Sequence, residues 1–221
     1  LKLDIVERVV ADCRELGIYT NANILIGMPG ETSEDIEVTR KFLKTISPNW
    51  FMIFVASPLV GSEMYEEAVE KGYLKEGFVG GADFKRAVIQ TEDWDQQYIQ
   101  EVTYFLNLEM NFVNNSDMRL GNYPLALRGL ENAIRARADH ALAYYYRGFC
   151  HGHLGHKSKF HAYMEKVANI LKASEFWQNV FVYFNLEIIE DIPEHKIMLD
   201  NVVPTYFPPL GPELKHIFGV G

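Results

Sequence analysis

The sequence predicts an α/β segment followed by an all-α domain, predominantly helical overall. Three observations carry this reading. Helix and strand patterns alternate through about the first 77 residues, helical periodicity dominates from about Asp93, and a short motif recurs 34 residues apart in the second half. Alternating helices and strands with short connections are the pattern of parallel βα units. With 221 residues, 48% of them hydrophobic and 13% aromatic, the chain can bury the core of one large or two small domains.

In the first helical pattern Leu1, Ile5, Val6, Val9, Val10, Cys13 and Leu16 recur at three-to-four spacing, and Gly17 supplies the left-handed C-cap. The run Asn23 to Ile26 is apolar without polar alternation, so it reads as a strand covered on both faces. It ends in Gly27-Met28-Pro29-Gly30. Thr32, with Asp35 three residues on, forms a capping box that opens a second helix. Ile36, Thr39, Phe42, Leu43 and Ile46 are its buried stripe, and Ser47-Pro48 stops it. A second buried strand, Trp50 to Val55, leads to a third helix from about Glu63 to Lys71, before Gly72. Leu1 lies inside a helical pattern without a cap, and two parallel strands lack the neighbours such strands need. Both features predict that the chain belongs to a longer polypeptide, and that alone its open sheet edge causes dimerisation or poor solubility.

Phe78 to Ala87, with Gly80-Gly81, reads as a loop or short extended crossing. From about Asp93, residues Trp94, Tyr98, Val102, Phe105, Leu106, Leu108, Met110 and Val113 predict one long helix bridging the two halves. Leu120-Gly121-Asn122-Tyr123 and Leu154-Gly155-His156-Lys157 stand 34 residues apart, with Ala126/Phe160, Leu130/Met164 and Ala133/Val167 in register. This is the tetratricopeptide spacing, and the segment resembles that family, with Tyr144 and Gly148 in the places of its first-helix aromatic and close-packing glycine. It departs from the family at Lys157, Phe160, Arg147 and Ala138. A last helix, Glu175 to Glu190, is expected to support these repeats. A tail carrying Pro193, Pro204, Pro208, Pro209 and Pro212 is expected to cross the surface in extended form.

Twenty-one Lys and Arg against thirty Asp and Glu leave a formal charge of −9. Without a cationic cluster, binding to nucleic acid or to an anionic membrane surface is disfavoured. The longest largely apolar stretch, Trp50 to Val60, is too short for a bilayer and contains Pro58, so a soluble, cytoplasmic protein is expected. Cys13 and Cys150 are too few and too far apart for a disulfide framework or a Cys-rich metal site, and read as core residues.

Chemistry concentrates at Ile24-Leu25-Ile26-Gly27-Met28-Pro29-Gly30-Glu31-Thr32 and at Ser57-Pro58-Leu59-Val60-Gly61-Ser62. A strand that ends in a glycine turn before a capped helix presents backbone amides at the carboxyl edge of a parallel sheet, where ligands of α/β folds bind. The helix start there favours an anion such as a carboxylate. The same residues also suit a plain tight turn. Glu31 and Glu63 read as helix-start carboxylates that favour the dipole rather than as acid/base groups. Among His151, His153, His156 and His161, the pair His153 and His156 has metal-ligand spacing, while a packing or groove role suits all four. Tyr144, Tyr145, Tyr146 and Phe149 read as repeat core, with Tyr145, Phe149 and His153 alternatively lining a shallow peptide groove.

The order helix, apolar strand, Gly27 to Thr32, helix, strand, Ser57 to Ser62, helix and Gly72-Tyr73-Leu74 resembles the last part of a radical S-adenosylmethionine (SAM) barrel. The likeness is to the branch of cobalamin-dependent enzymes and Mg-protoporphyrin monomethyl ester cyclases. The resemblance covers about residues 1 to 75 and implies the last βα units of a partial TIM-type barrel over 1–77; beyond it the chain reads as a connecting loop and long helix over 78–116, tetratricopeptide-like repeats over 117–174, and a C-terminal helix and Pro-rich tail over 175–221. It implies that Ile26, Gly27 and Met28 make main-chain contacts to the adenine of SAM, and that Ala56 and Leu59 make apolar ones. Ser62 stands where the family usually has Thr. The parent would use SAM, a [4Fe-4S] cluster and possible cobalamin to turn a small-molecule substrate through a 5′-deoxyadenosyl radical, in a redox, cyclisation or methyl-transfer reaction. The three-cysteine run that holds such a cluster is absent, so this chain alone is expected to be inactive, with no catalytic or metal residue of its own. The alternative is a protein-interaction module in which the helical repeats bind a protein partner and the βα segment is a scaffold. A Rossmann-like nucleotide binder is disfavoured, because no Gly-x-Gly-x-x-Gly run appears.

Overall fold

A computed structural model describes residues 2–74, 78 and 86–193. Leu1, Gly80-Gly81 and the prolines from Pro204 onward lie outside the described residues. The chain divides into two compact units, Leu1–Asn107 and Leu108–Gly221. The described part is mainly helical, with a two-stranded parallel sheet.

The first unit runs α1 (Leu3–Glu15), β1 (Asn21–Ile26), α2 (Ser33–Thr45), β2 (Trp50–Val55), α3 (Glu63–Glu70) and α4 (Gln96–Leu108). Gly17 ends α1 as expected: its φ is +69°, and the amides of Gly17 and Ile18 donate back to the carbonyls of Arg14 and Cys13. Arg14 then reaches the carbonyl of Ser47 through Nε at 3.0 Å and Nη2 at 2.6 Å, tying α1 to the turn after α2. Thr20 and Asn49 bond to each other through backbone and side chain, aligning the strand starts. From there β1 and β2 pair in parallel, Asn21 opposite Trp50 through Ile26 opposite Val55.

The expectation that both strands are covered on both faces is corrected. Burial alternates: Ile26, Phe51, Ile53 and Val55 are buried, whereas Leu25 and Met52 on the other face are 50% and 40% exposed. Among the described residues α1 buries none of its own, and its Leu3, Ile5 and Val9 are exposed. Helix α2 matches the reading more closely. Thr32 and Asp35 form the capping box, Ile36, Leu43 and Ile46 are buried, and Thr39 and Phe42 are half-buried. Beyond α3, Leu74 and Ile89 form one antiparallel bridge.

The long helix expected from Asp93 is shorter and interrupted. Asp95 caps it by accepting from the Tyr98 amide at 2.7 Å, so Trp94 precedes the helix. At Glu109–Val113 the pairing widens to π-type, with the Asn114 amide donating to the Glu109 carbonyl.

The second unit continues with α5 (Ser116–Arg119), α6 (Tyr123–Ala136), α7 (Ala141–His153), α8 (Lys157–Ala173) and α9 (Glu175–Tyr183). From α6 on, each helix packs against the next, around Leu130, Tyr146, Phe149, Phe160, Val167 and Trp177. Gly148 allows α7 and α8 to approach: a Cβ there would lie 2.6 Å from Met164 Cε and 3.0 Å from Tyr163 Cβ. Cys150 is a buried core thiol, its pKa pushed up to about 12 by burial, and Cys13 is half-buried. Helix α9 stops at Tyr183, short of the expected Glu190. Asn185 takes a left-handed φ of 51°, and the Leu186 amide closes back on the Phe181 carbonyl, an ending that Asn tolerates well. Among the described residues no helix is long and apolar enough to cross a membrane.

His140 opens α7. Its Nδ1 accepts from the Ala143 amide at 3.2 Å, and its ring sits 4.4 Å from Phe112 and 4.8 Å from Trp177. Burial, with the nearby Arg137 charge, lowers its pKa to about 4. The neutral imidazole therefore contributes stability that is full above the ordinary value of about 6.5 and is lost as pH falls through about 4, roughly 3 kcal/mol in all. Urea unfolding followed across this window should show that loss, and His140→Asn, which keeps a capping side chain, should flatten it. Gly148→Ala should lower stability by about 1–3 kcal/mol through overpacking, although Ala is the better helix former. An unchanged or higher urea midpoint would contradict the close approach of α7 and α8.

Candidate functional site

The carboxyl ends of β1 and β2 lie side by side, joined by a hydrogen bond from the Ala56 amide to the Ile26 carbonyl at 2.8 Å. Beyond Ile26 the chain turns at Gly27 (φ +86°) and Gly30 (φ +79°), and the Glu31 amide donates to the Met28 carbonyl at 3.0 Å. Both φ values lie in the left-handed region open to glycine.

Glu31 occupies the amides that were expected to face a ligand. Its Oε2 accepts from the Gly27 amide at 2.5 Å and from the Met28 amide at 3.2 Å. Its carboxylate therefore closes the turn after β1, one residue before Thr32, the N-cap of α2. Burial raises the Glu31 pKa, while the two amide bonds oppose that rise. The Glu31 carbonyl in turn accepts from Trp94 Nε1 at 2.8 Å, and Tyr98 Oη donates to Ser33 Oγ at 3.3 Å. A Cβ on Gly27 would lie 2.7 Å from Ile99 Cγ2 and 3.6 Å from the Trp94 ring. The close approach that Gly27 permits is thus filled by the chain's own Trp94 and Ile99.

At the end of β2, Ala56 is fully buried and Ser57 nearly so, whereas Leu59 and Val60 are 50% and 65% exposed. Ser62 caps α3 by accepting from the Tyr65 amide, while its hydroxyl donates to the Leu59 carbonyl at 2.7 Å. A hydroxyl here thus holds the loop that carries Leu59. Of the five residues proposed to contact adenine, Ile26 and Ala56 meet through the main chain with buried side chains, and Gly27 and Met28 meet at Glu31. Met28 and Leu59 are the two that present exposed apolar side chains. Sequence reasoning missed Glu31 as the closing group, although a carboxylate four residues after the turning glycine was a usable signal. Trp94 and Ile99 carried no local signal.

His151 Nδ1 and His156 Nδ1 lie 3.2 Å apart, while His153 stacks on Tyr123 at 4.9 Å and meets the edge of Phe149. Among the described residues no group of three or more His, Cys, Asp or Glu is placed to hold a metal ion. Tyr145 and Phe149 are each 2% exposed. Tyr145 packs edge-on against Tyr146 and Phe181, so these rings are core and not the wall of a groove.

Comparison with known proteins gives distant matches to methyltransferases. The chain is 26% identical over 119 residues to the cytidylyl-2-hydroxyethylphosphonate methyltransferase of Streptomyces wedmorensis, a match covering 50% of this chain and 22% of that protein. It is 29% identical over 65 residues to an uncharacterised methyltransferase of Pyrococcus horikoshii, covering 29% of this chain and 14% of the relative. The chain therefore spans less than a quarter of the length of either. No family model matches it, and no solved structure matches it significantly.

Glu31→Ala leaves the amide of buried Gly27 without its acceptor and should cost about 1–3 kcal/mol. Glu31→Gln keeps an acceptor without a desolvated charge and should stay within about 1 kcal/mol of the wild type. Because the folded-state pKa of Glu31 is raised, its contribution to stability grows as pH falls from that raised value toward the ordinary one, and Gln removes this slope. Chemical denaturation of the three proteins between pH 4 and pH 7 checks both points. Equal losses for Ala and Gln would contradict the closing role of the carboxyl group.

Proposed function

We propose that this chain is the C-terminal part of a methyl-transfer enzyme of the radical SAM type, contributing one edge of the SAM adenine pocket. The observation that carries the reading is the parallel pair β1–β2, whose carboxyl ends bring the Gly27–Glu31 turn beside Ala56 and the loop to Leu59. The distant methyltransferase relatives, both much longer than the matched stretch, support it. A groove of about 480 Å³ lined by Val6, Val10, Ile24, Phe42 and Leu43, together with exposed Leu25 and Met52, is what a strand pair belonging to a larger sheet would present. In this reading the helices of the second unit are a tetratricopeptide-like accessory domain, supported by the recurrence at Leu120 and Leu154 and by the close packing at Gly148.

SAM, when bound, supplies a methyl group or a 5′-deoxyadenosyl radical. This chain's part is to offer Met28 and Leu59 as apolar contacts and to keep the Gly27–Met28 peptide fixed through Glu31, with Ile26 and Ala56 anchoring the strand ends. The residues present do not fit a [4Fe-4S] cluster. The full sequence has two cysteines, in different units, and the Cys150 thiol is held protonated in the core. The cluster, and any cobalamin, would be held by residues outside this sequence.

Adding SAM to the chain carrying ¹³C-methyl methionine should shift the Met28 methyl resonance, and Leu59→Asp should weaken that response about tenfold or more. A Met28 signal unmoved by millimolar SAM in the folded protein would count against an adenine edge here.

A further inference from the structure

The corner between α7 and α8 carries an arrangement that the proposed function does not use. The turn is closed by backbone bonds from the Gly155 amide to the Gly152 carbonyl at 2.9 Å and from the His156 amide to the His151 carbonyl at 2.8 Å, with Gly155 at φ +83°. His156 precedes α8, yet its side chain does not cap that helix. It reaches back instead, bringing its Nδ1 to 3.2 Å from His151 Nδ1. His151 is 8% exposed and lies parallel to the Tyr163 ring of α8 at 5.6 Å.

Two imidazole nitrogens at this distance need one hydrogen between them: one ring donates and the other accepts. With both rings protonated, two N–H donors would face each other at the same distance, and each ring would carry positive charge. We propose that His151 and His156 form a one-proton latch that holds the start of α8 against the end of α7 and opens when acid protonates both rings.

The surroundings favour this outcome. Facing His151 are Arg147 on its own helix, Lys159 on α8 and Glu131 on α6. Arg147 is paired with Glu131 at 3.0 Å and lies over the Tyr163 ring, so that carboxylate is already engaged. Burial, followed by Lys159, Arg147 and His156, lowers the His151 pKa. A singly protonated pair keeps its contact as a charge-assisted hydrogen bond. The second proton meets like charge, and the exposed His156 is the ring free to swing into water. Its departure removes the side-chain tie at the residue whose carbonyl accepts from the Lys159 and Phe160 amides in the first turn of α8.

The test is imidazole ¹⁵N NMR of the whole chain from pH 8 to pH 4, with amide exchange read at Lys159 and Phe160. The latch predicts opposite tautomers on the two rings at pH 8 and proton binding by the pair in two coupled steps. It also predicts that exchange at those amides accelerates across the second step. His156→Ala, an exposed change whose folding circular dichroism can check, should leave His151 with a single step. Independent titration of the two rings, or a His151 curve unchanged in His156→Ala, would overturn the proposal. So would amide exchange that is indifferent to the second step.

Discussion

The constraint on which the first unit depends is the capture of two backbone amides by one carboxylate. Strand β1 must stop, reverse and start α2 within a few residues, which leaves the Gly27 and Met28 amides beyond the reach of the ladder. Gly27 is buried, where an amide without a partner is costly, and Glu31 supplies the acceptor to it and to the amide of the exposed Met28. The same residue then offers its carbonyl to Trp94, and Trp94 and Ile99 close over Gly27. One turn therefore sets the end of the strand, the start of the next helix and the seat of a segment more than sixty residues away in sequence.

The second unit is held by steric fit more than by polar closure. Gly148 lets α7 and α8 come together, and large rings such as Trp177, Phe160 and Tyr146 fill the space around them. Its polar devices sit at helix ends. His140 accepts a helix-start amide from within an aromatic stack, and Arg137 lies 4.7 Å from the Trp177 ring while pairing with Asp139. Desolvation drives His140 to its neutral form, the form able to accept that bond, so packing and capping reinforce each other.

Local features were legible in the sequence because they are encoded by adjacent residues. The bounds of β2, the Thr32–Asp35 capping box and the glycine stops at Gly17 and Gly72 follow from patterns a few residues long. The 34-residue recurrence falls at the starts of α6 and α8, whose N-cap positions are Asn122 and His156. What escaped depends on distant contacts or on fine backbone geometry. Trp94 continued a helical pattern but sits before α4 because Asp95 takes the cap. The π segment keeps apolar side chains at spacings that a helix also shows, and Asn185 ended α9 without a glycine. At the candidate site, sequence placed Gly27, Met28, Ala56 and Leu59 at the carboxyl ends of paired strands. It did not show that the chain itself takes up the amides and covers Gly27. The exposed Leu25 likewise escaped, because an apolar run reads the same whether one face or both are covered.

A ligand at this edge would meet a backbone already fixed by Glu31, with Met28 and Leu59 as accessible apolar side chains, rather than a nest of open amides. This makes the Glu31 closure the feature that decides what the edge can bind. The most direct measurement of it is hydrogen exchange at the Gly27 and Met28 amides, in the wild type and in Glu31→Ala. The account predicts slow exchange in the wild type and a rise of at least tenfold at these two amides in the variant, with the β1–β2 ladder still protected. Fast exchange in the wild type, or no selective rise in the variant, would contradict it.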